Sequence, residues 1–156
     1  MKRFILFLAL LTSAMTMQAQ STNEKKAMFE EFRTYFNDQT AVAYAQVGNQ
    51  QVMLVSTEVY GNNENDDLNA ISATIFVQDE AGKMICLGSV RSQGTLYPVS
   101  IYQGKLVTAG HEFVNVYELR ENPTDLYLVH NNDEGTKLEE QFKVFEKSIP
   151  VLFQRH

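Results

Sequence analysis

The stretch LVTAGHEFVNVYEL sets His111 and Glu112 side by side at the mouth of an apolar run, a pairing from which metal sites and proton relays are built. On a strand, adjacent side chains point to opposite faces, so the two would share neither a metal nor a proton. In a turn after TAG they would converge, but a metal wants three or four ligands and none follows at a ligand spacing. An HExxH helix would need histidine at position 115, where Asn115 stands. His130 ends a strand-like run and His156 is the last residue. No metal is expected, and His111 reads as a surface or turn residue.

Other reactive groups are equally isolated. Cys86 is the one cysteine, so neither an intrachain disulfide nor a cysteine-based zinc site is available. Its neighbours in KMICLGSV are apolar, and a buried, inert thiol is expected. Ser92 in GSVRSQG lacks the nucleophile elbow, because Val90 stands where G-x-S-x-G requires glycine. In GNNENDDLN, Asn63, Asn65 and Asp67 imitate the start of a calcium loop, yet its sixth and twelfth positions fall on Leu68 and Thr74 instead of glycine and glutamate. Neither a P-loop nor G-x-G-x-x-G is present, so no cofactor is implied. Catalytic residues are therefore unassigned. Acids dispersed in sequence, with His111 or His130 as base, leave a small hydrolase as an alternative.

Tyr60, Tyr97, Tyr102, Tyr117 and Tyr127 fall near strand ends. Tyrosine offers a large, rigid contact area with a polar tip, so these five are the candidate surface for a ligand or partner.

The elements that must position such a surface are legible from periodicity. NEKKAMFEEFRTYFND places Met28, Phe29, Phe32, Tyr35 and Phe36 on one side of a helix. From Thr40 the period becomes two. TAVAYAQV sets Ala41, Ala43, Ala45 and Val47 on one small face, suited to a helix lying close, and Gly48-Asn49 turns it into QVMLVSTEVY. AISATIFVQ and KMICLGSVR flank DEAG as a hairpin, the first strand central because Ile71, Ala73, Ile75 and Val77 share a face. LYPVSIY and KLVTAG turn at Gln103-Gly104, and Pro98 pushes that strand to an edge or itself to a bulge. EFVNVYEL, ENPTD and LYLVH form another hairpin around Pro123. In TKLEEQFKVFEKSIP, Leu138, Phe142, Phe145 and Ile149 recur at helical spacing, with Thr136 and Glu139 as a capping box and Pro150 as the stop. A strand over 137–147 is the alternative. The fold class is α+β and sheet-rich: an N-terminal helix, about eight strands in an antiparallel meander or partly closed barrel, and a C-terminal helix.

MKRFILFLALLTSAMTMQAQ has the cationic start, short apolar run and small-residue end of a secretory signal peptide, with cleavage expected after Ala19. Its apolar run is too short to span a bilayer and no second run follows, so no membrane span is expected. The remaining residues 20–156 read as a single globular domain, exported to the periplasm or beyond. Removing residues 1–19 takes away Lys2 and Arg3 and no acid, moving the net charge from -6 to -8. With no basic cluster free of acids, nucleic acid is not an expected partner. The functional expectation is an exported binding or interaction module for a small ligand or an extracytoplasmic protein. Besides the hydrolase, the alternative is an inhibitor of secreted enzymes that presents GNNENDDLN or ENPTD as an inserted loop. Cell fractionation with N-terminal sequencing is expected to yield a soluble chain starting near Gln20; full-length chain in the cytoplasm would refute the export reading.

Overall fold

The computed structural model describes residues 27–61, 67–120, 126–130 and 138–155. The expected leader at 1–19, the loop positions Asn63 and Asn65, the ENPTD connection with Pro123, Thr136 of the expected capping box, and His156 lie outside them. The chain divides into two compact units, Met1–Tyr35 and Phe36–His156.

In the first unit, helix α1 covers 27–33 and is shorter than its aromatic spacing predicts. Tyr35 is 78% exposed and follows the helix instead of extending its face. The cause is local: the N–H of Thr34 bonds the Glu31 carbonyl at 3.1 Å and that of Tyr35 bonds the Phe32 carbonyl at 3.2 Å, three-residue turns that tighten the end. The Thr34 hydroxyl takes the same Glu31 carbonyl at 2.7 Å, competing with helix continuation.

The second unit contains two five-stranded antiparallel sheets, neither closed into a barrel, and a short ribbon. In chain order the strands are β1 Ala41–Val47, β2 Gln50–Ser56, β3 Val59–Tyr60, β4 Asn69–Ala70, β5 Ser72–Gln78, β6 Met84–Arg91, β7 Ser100–Tyr102, β8 Lys105–Gly110, β9 Phe113–Glu118 and β10 Tyr127–His130. Helix α2, Leu138–Glu146, follows, then two-residue strands β11 Ile149–Pro150 and β12 Gln154–Arg155. One sheet runs β12-β1-β2-β5-β6, the other β10-β9-β8-β7-β11, and β3 pairs with β4. The expected hairpins are present, and β5 is interior as its buried Ala73, Ile75 and Val77 require.

A single core cluster draws on both large sheets: Ala41, Val52, Leu54 and Ile75 from the first, Leu106 from the second, with Val99, Val151 and Phe153 from the connecting segments. The small face of β1 therefore meets this inter-sheet core and not the helix expected there. The opposite face of the second sheet carries Val107, Ala109, Val114 and Val116, covered by Phe142, Val144 and Phe145 of α2. That settles 138–146 as helix, since a 3.6-residue repeat brings positions 142 and 145 to one side. Ile149 leaves this face, because it belongs to β11 and is 72% exposed.

Pro98 sits neither at an edge nor in a bulge. The strand starts past it, at Ser100, and β7 is flanked on both sides, by β8 and β11. The turn that follows has both central residues in the left-handed region, Gln103 at φ 48° and Gly104 at φ 73°, as a two-residue turn matched to sheet twist demands. Its Gly104 carbonyl accepts the Gly48 N–H at 2.7 Å, tying the β1–β2 turn to the β7–β8 turn.

The final segment stitches the sheets together. β11 pairs with β7 through Ile149↔Ile101 and Pro150↔Ser100, and β12 pairs with β1 through Ala41↔Arg155 and Val42↔Gln154. Between them the Val151 N–H bonds the Val99 carbonyl at 3.0 Å, and Leu68 and Phe153 exchange two N–H···O bonds of 2.8 Å. Val151 and Phe153 point inward while Leu152 is 49% exposed. Phe153→Ala is expected to cost about 3–5 kcal/mol in denaturant melts, as for a buried phenylalanine leaving a cavity, and Leu152→Ala under about 1 kcal/mol. Equal costs would show that the segment is not anchored by its inward residues.

Candidate functional site

His111 and Glu112 form the two-residue turn between β8 and β9, closed by the pair Gly110↔Phe113, and both are exposed. Turn geometry does not join them. The His111 Nδ1 lies 3.3 Å from the Tyr97 hydroxyl, the two rings meet edge-on with centroids 5.6 Å apart, and the His111 N–H donates to Gln93 Oε1 at 3.1 Å. Gly110 permits this, since a Cβ there would stand 2.6 Å from Gln93 Oε1 and closer still to the Phe113 ring. Among the described residues no group of three or more His, Cys, Asp or Glu is placed to hold a metal ion. Ser92 is buried, and its Oγ accepts the Ala109 N–H at 3.1 Å, a structural bond. The side chain of His130 lies outside the description.

Cys86 corrects the sequence expectation: it is exposed. Its apolar neighbours Ile85 and Leu87 belong to the inward face of β6, so alternation sends the thiol outward, opposite Phe76. The register then steps from Phe76↔Cys86 to Ile75↔Gly88, leaving Leu87 as the extra residue of a bulge.

The five tyrosines do not meet on one surface. Tyr97 and Tyr102 pack on the α2-covered face of the second sheet, whereas Tyr117 packs against the inter-sheet core. Tyr127, on the edge strand β10, is 43% exposed and lies under the Arg120 guanidinium, 3.8 Å from its ring centroid. Tyr60 sits on the β3–β4 ribbon, its hydroxyl buried without a hydrogen-bond partner among the described residues, and burial raises its pKa above the ordinary phenol value.

Of these, Tyr102 lines a recess of size to hold a ligand. A groove of about 600 Å³ is bounded by Tyr44 and Ala45 of β1, by Ile101, Tyr102 and Gln103 at the β7–β8 turn, and by Lys147 and Ile149–Leu152. Its outer wall comes from two sources: Leu152 is left outside because it lies between the inward Val151 and Phe153, and Ile149, on the edge strand β11, is exposed as well. Two exposed large aliphatic side chains beside two tyrosines form an apolar trough. Among the described residues Lys147 is its one charged lining residue, and no acid or histidine lines it. Sequence reading missed Tyr44, Ile149 and Leu152, which the Gly48–Gly104 hydrogen bond and the pairing of β11 and β12 bring beside Tyr102.

A second polar constellation lies on the first sheet. Arg91 grips Glu58 with both terminal nitrogens, one at 2.9 Å from Oε1 and the other on Oε2, and the Ser72 hydroxyl donates to the same Oε2. Hydrogen bonds from Arg91 and then Ser72 hold the Glu58 carboxyl below its ordinary value near 4.5. A depressed carboxylate pKa contributes stability above the unfolded value and loses it as pH falls through the folded value. Both side chains are more than a third exposed, so water and salt screen the pair. The stability gap between the native chain and Glu58→Gln is expected to be constant above the ordinary carboxylate range, to shrink on acidification below it, and to shrink in high salt. A gap that widens on acidification would contradict the pairing. Compared with known proteins, the chain matches no family model, no curated protein and no solved structure.

Proposed function

We infer that this protein is a binding module whose groove takes a ligand with an apolar body and one anionic end. The observation that carries this reading is the groove lining: aliphatic and tyrosine walls over about 600 Å³, with Lys147 as the single charge among the described residues. Pockets of a few hundred to ~1,000 Å³ with mostly apolar walls and few polar groups are the usual form of small-molecule sites. Among the described residues the lining has no carboxylate or imidazole beside Lys147, so it lacks the paired acids of a glycoside hydrolase, which supports binding over hydrolysis. Lys147 would orient the anionic end, while Ile149, Leu152 and Tyr102 desolvate the body. Exposed aliphatic side chains grouped in one trough, instead of scattered singly, further support a surface that is covered in use. The expected exported location would place that ligand outside the cytoplasm.

1-Anilinonaphthalene-8-sulfonate, an aromatic body with a sulfonate, matches this chemistry. It is expected to bind the folded protein with enhanced fluorescence. Lys147→Gln should weaken binding about fivefold, the scale of one partly exposed ion pair of about 1 kcal/mol, and Leu152→Asp should abolish it while near-ultraviolet circular dichroism stays native. Undiminished binding by Leu152→Asp, or dark probe with the native chain, would count against the groove.

A further inference from the structure

On the first sheet, sharing no lining residue with the groove, a second recess of about 220 Å³ is lined by six hydroxyl-bearing residues together with Phe36, Val55 and Ala73. It lies where β2, β5 and β6 run side by side, with Ser56, Thr57, Ser72, Thr74 and Ser89 around it and the Phe36 ring at its rim. Among the described residues no lining residue carries a charge. The nearest ion pair is closed on itself: Glu58 and Arg91 are bidentate partners, and the Ser72 hydroxyl is committed to Glu58. Thr40, also in the lining, spends its hydroxyl hydrogen on Asn37 Oδ1 at 3.0 Å.

The remaining hydroxyls keep capacity. Ser56 Oγ accepts the Glu58 N–H at 3.1 Å, which leaves its own hydrogen to donate. Thr74 and Ser89 are 2.9 Å apart, so one donates to the other and the second retains its hydrogen. Thr57 is exposed at the rim. A charged ligand entering here would lose hydration with no counter-charge to replace it, whereas a neutral polyhydroxylated ring exchanges one set of hydroxyl bonds for another. The half-buried Phe36, its ring centroid 6.1 Å from that of Phe76, offers an apolar face to the C–H side of such a ring.

We propose that this hydroxyl-lined recess is a binding site for an uncharged monosaccharide unit, separate from the apolar groove. Few donors and one phenylalanine set the scale at millimolar dissociation constants. The test is amide NMR of the purified protein titrated to about 100 mM with glucose, galactose, mannose or N-acetylglucosamine, and with glucuronate as the charged counterpart. At least one neutral sugar is expected to shift the amides of Thr57, Thr74 and Ser89 saturably, with glucuronate weaker than the glucose arm by about tenfold or more. Thr57→Val, at an exposed position, should weaken the sugar by about three- to tenfold with the rest of the spectrum native, and Ser89→Ala provides a second reading at the opposite wall. The proposal is overturned if no neutral sugar moves these amides, if glucuronate binds as well as glucose, or if the shifts gather at Tyr102 and Leu152.

Discussion

The burial of Phe153 is the constraint on which the rest of the second unit depends. The segment 149–155 pairs through strands of two residues only, and ordering its backbone costs roughly 1–2 kcal/mol per residue. It is held because Phe153 is fully buried in the inter-sheet core, Val151 nearly so, and their N–H groups are taken by the Leu68 and Val99 carbonyls. Through that anchor β11 reaches the edge of one sheet and β12 the edge of the other. The same strap blunts both edges, where unpaired backbone would otherwise invite further strands.

The groove is the by-product of this stitching. With Val151 and Phe153 turned inward, Leu152 between them must turn outward, and Ile149 and Pro150 are left exposed on the edge strand β11. Neighbouring turns complete the recess: the Gly48–Gly104 hydrogen bond brings the β1 and β7 hairpins together, and Tyr44 and Tyr102 stand on either side. Binding chemistry and fold stability therefore share one short segment but use opposite faces of it. The hydroxyl recess is built differently, from the cross-strand side chains of β2, β5 and β6, and no strap residue lines it.

Much of the architecture was legible because it is local. Gly48-Asn49, DEAG and Gln103-Gly104 announce hairpins through residues that tolerate turn angles, and the alternation of Ala73, Ile75 and Val77 marks an interior strand. What escaped is long-range. Two-residue strands such as β11 and β12 have no period to detect, and Pro150 reads as a helix stop while also sitting on β7. Cys86 was misread because apolar neighbours in sequence argue for burial only if the strand is covered on both faces. Tyrosines near strand ends were visible, but which of them border a common recess depends on register and on segments some hundred residues apart, Tyr44 and Leu152 among them.

Native-state hydrogen exchange at Val151 and Phe153 tests this dependence most directly. If the strap is anchored as described, both amides exchange with protection approaching that of Ile75 in the central strand, despite standing within six residues of the terminus. Exchange as fast as that of a frayed end, with Ile75 still protected, would show that the sheets hold together without the strap and that the groove has no fixed wall.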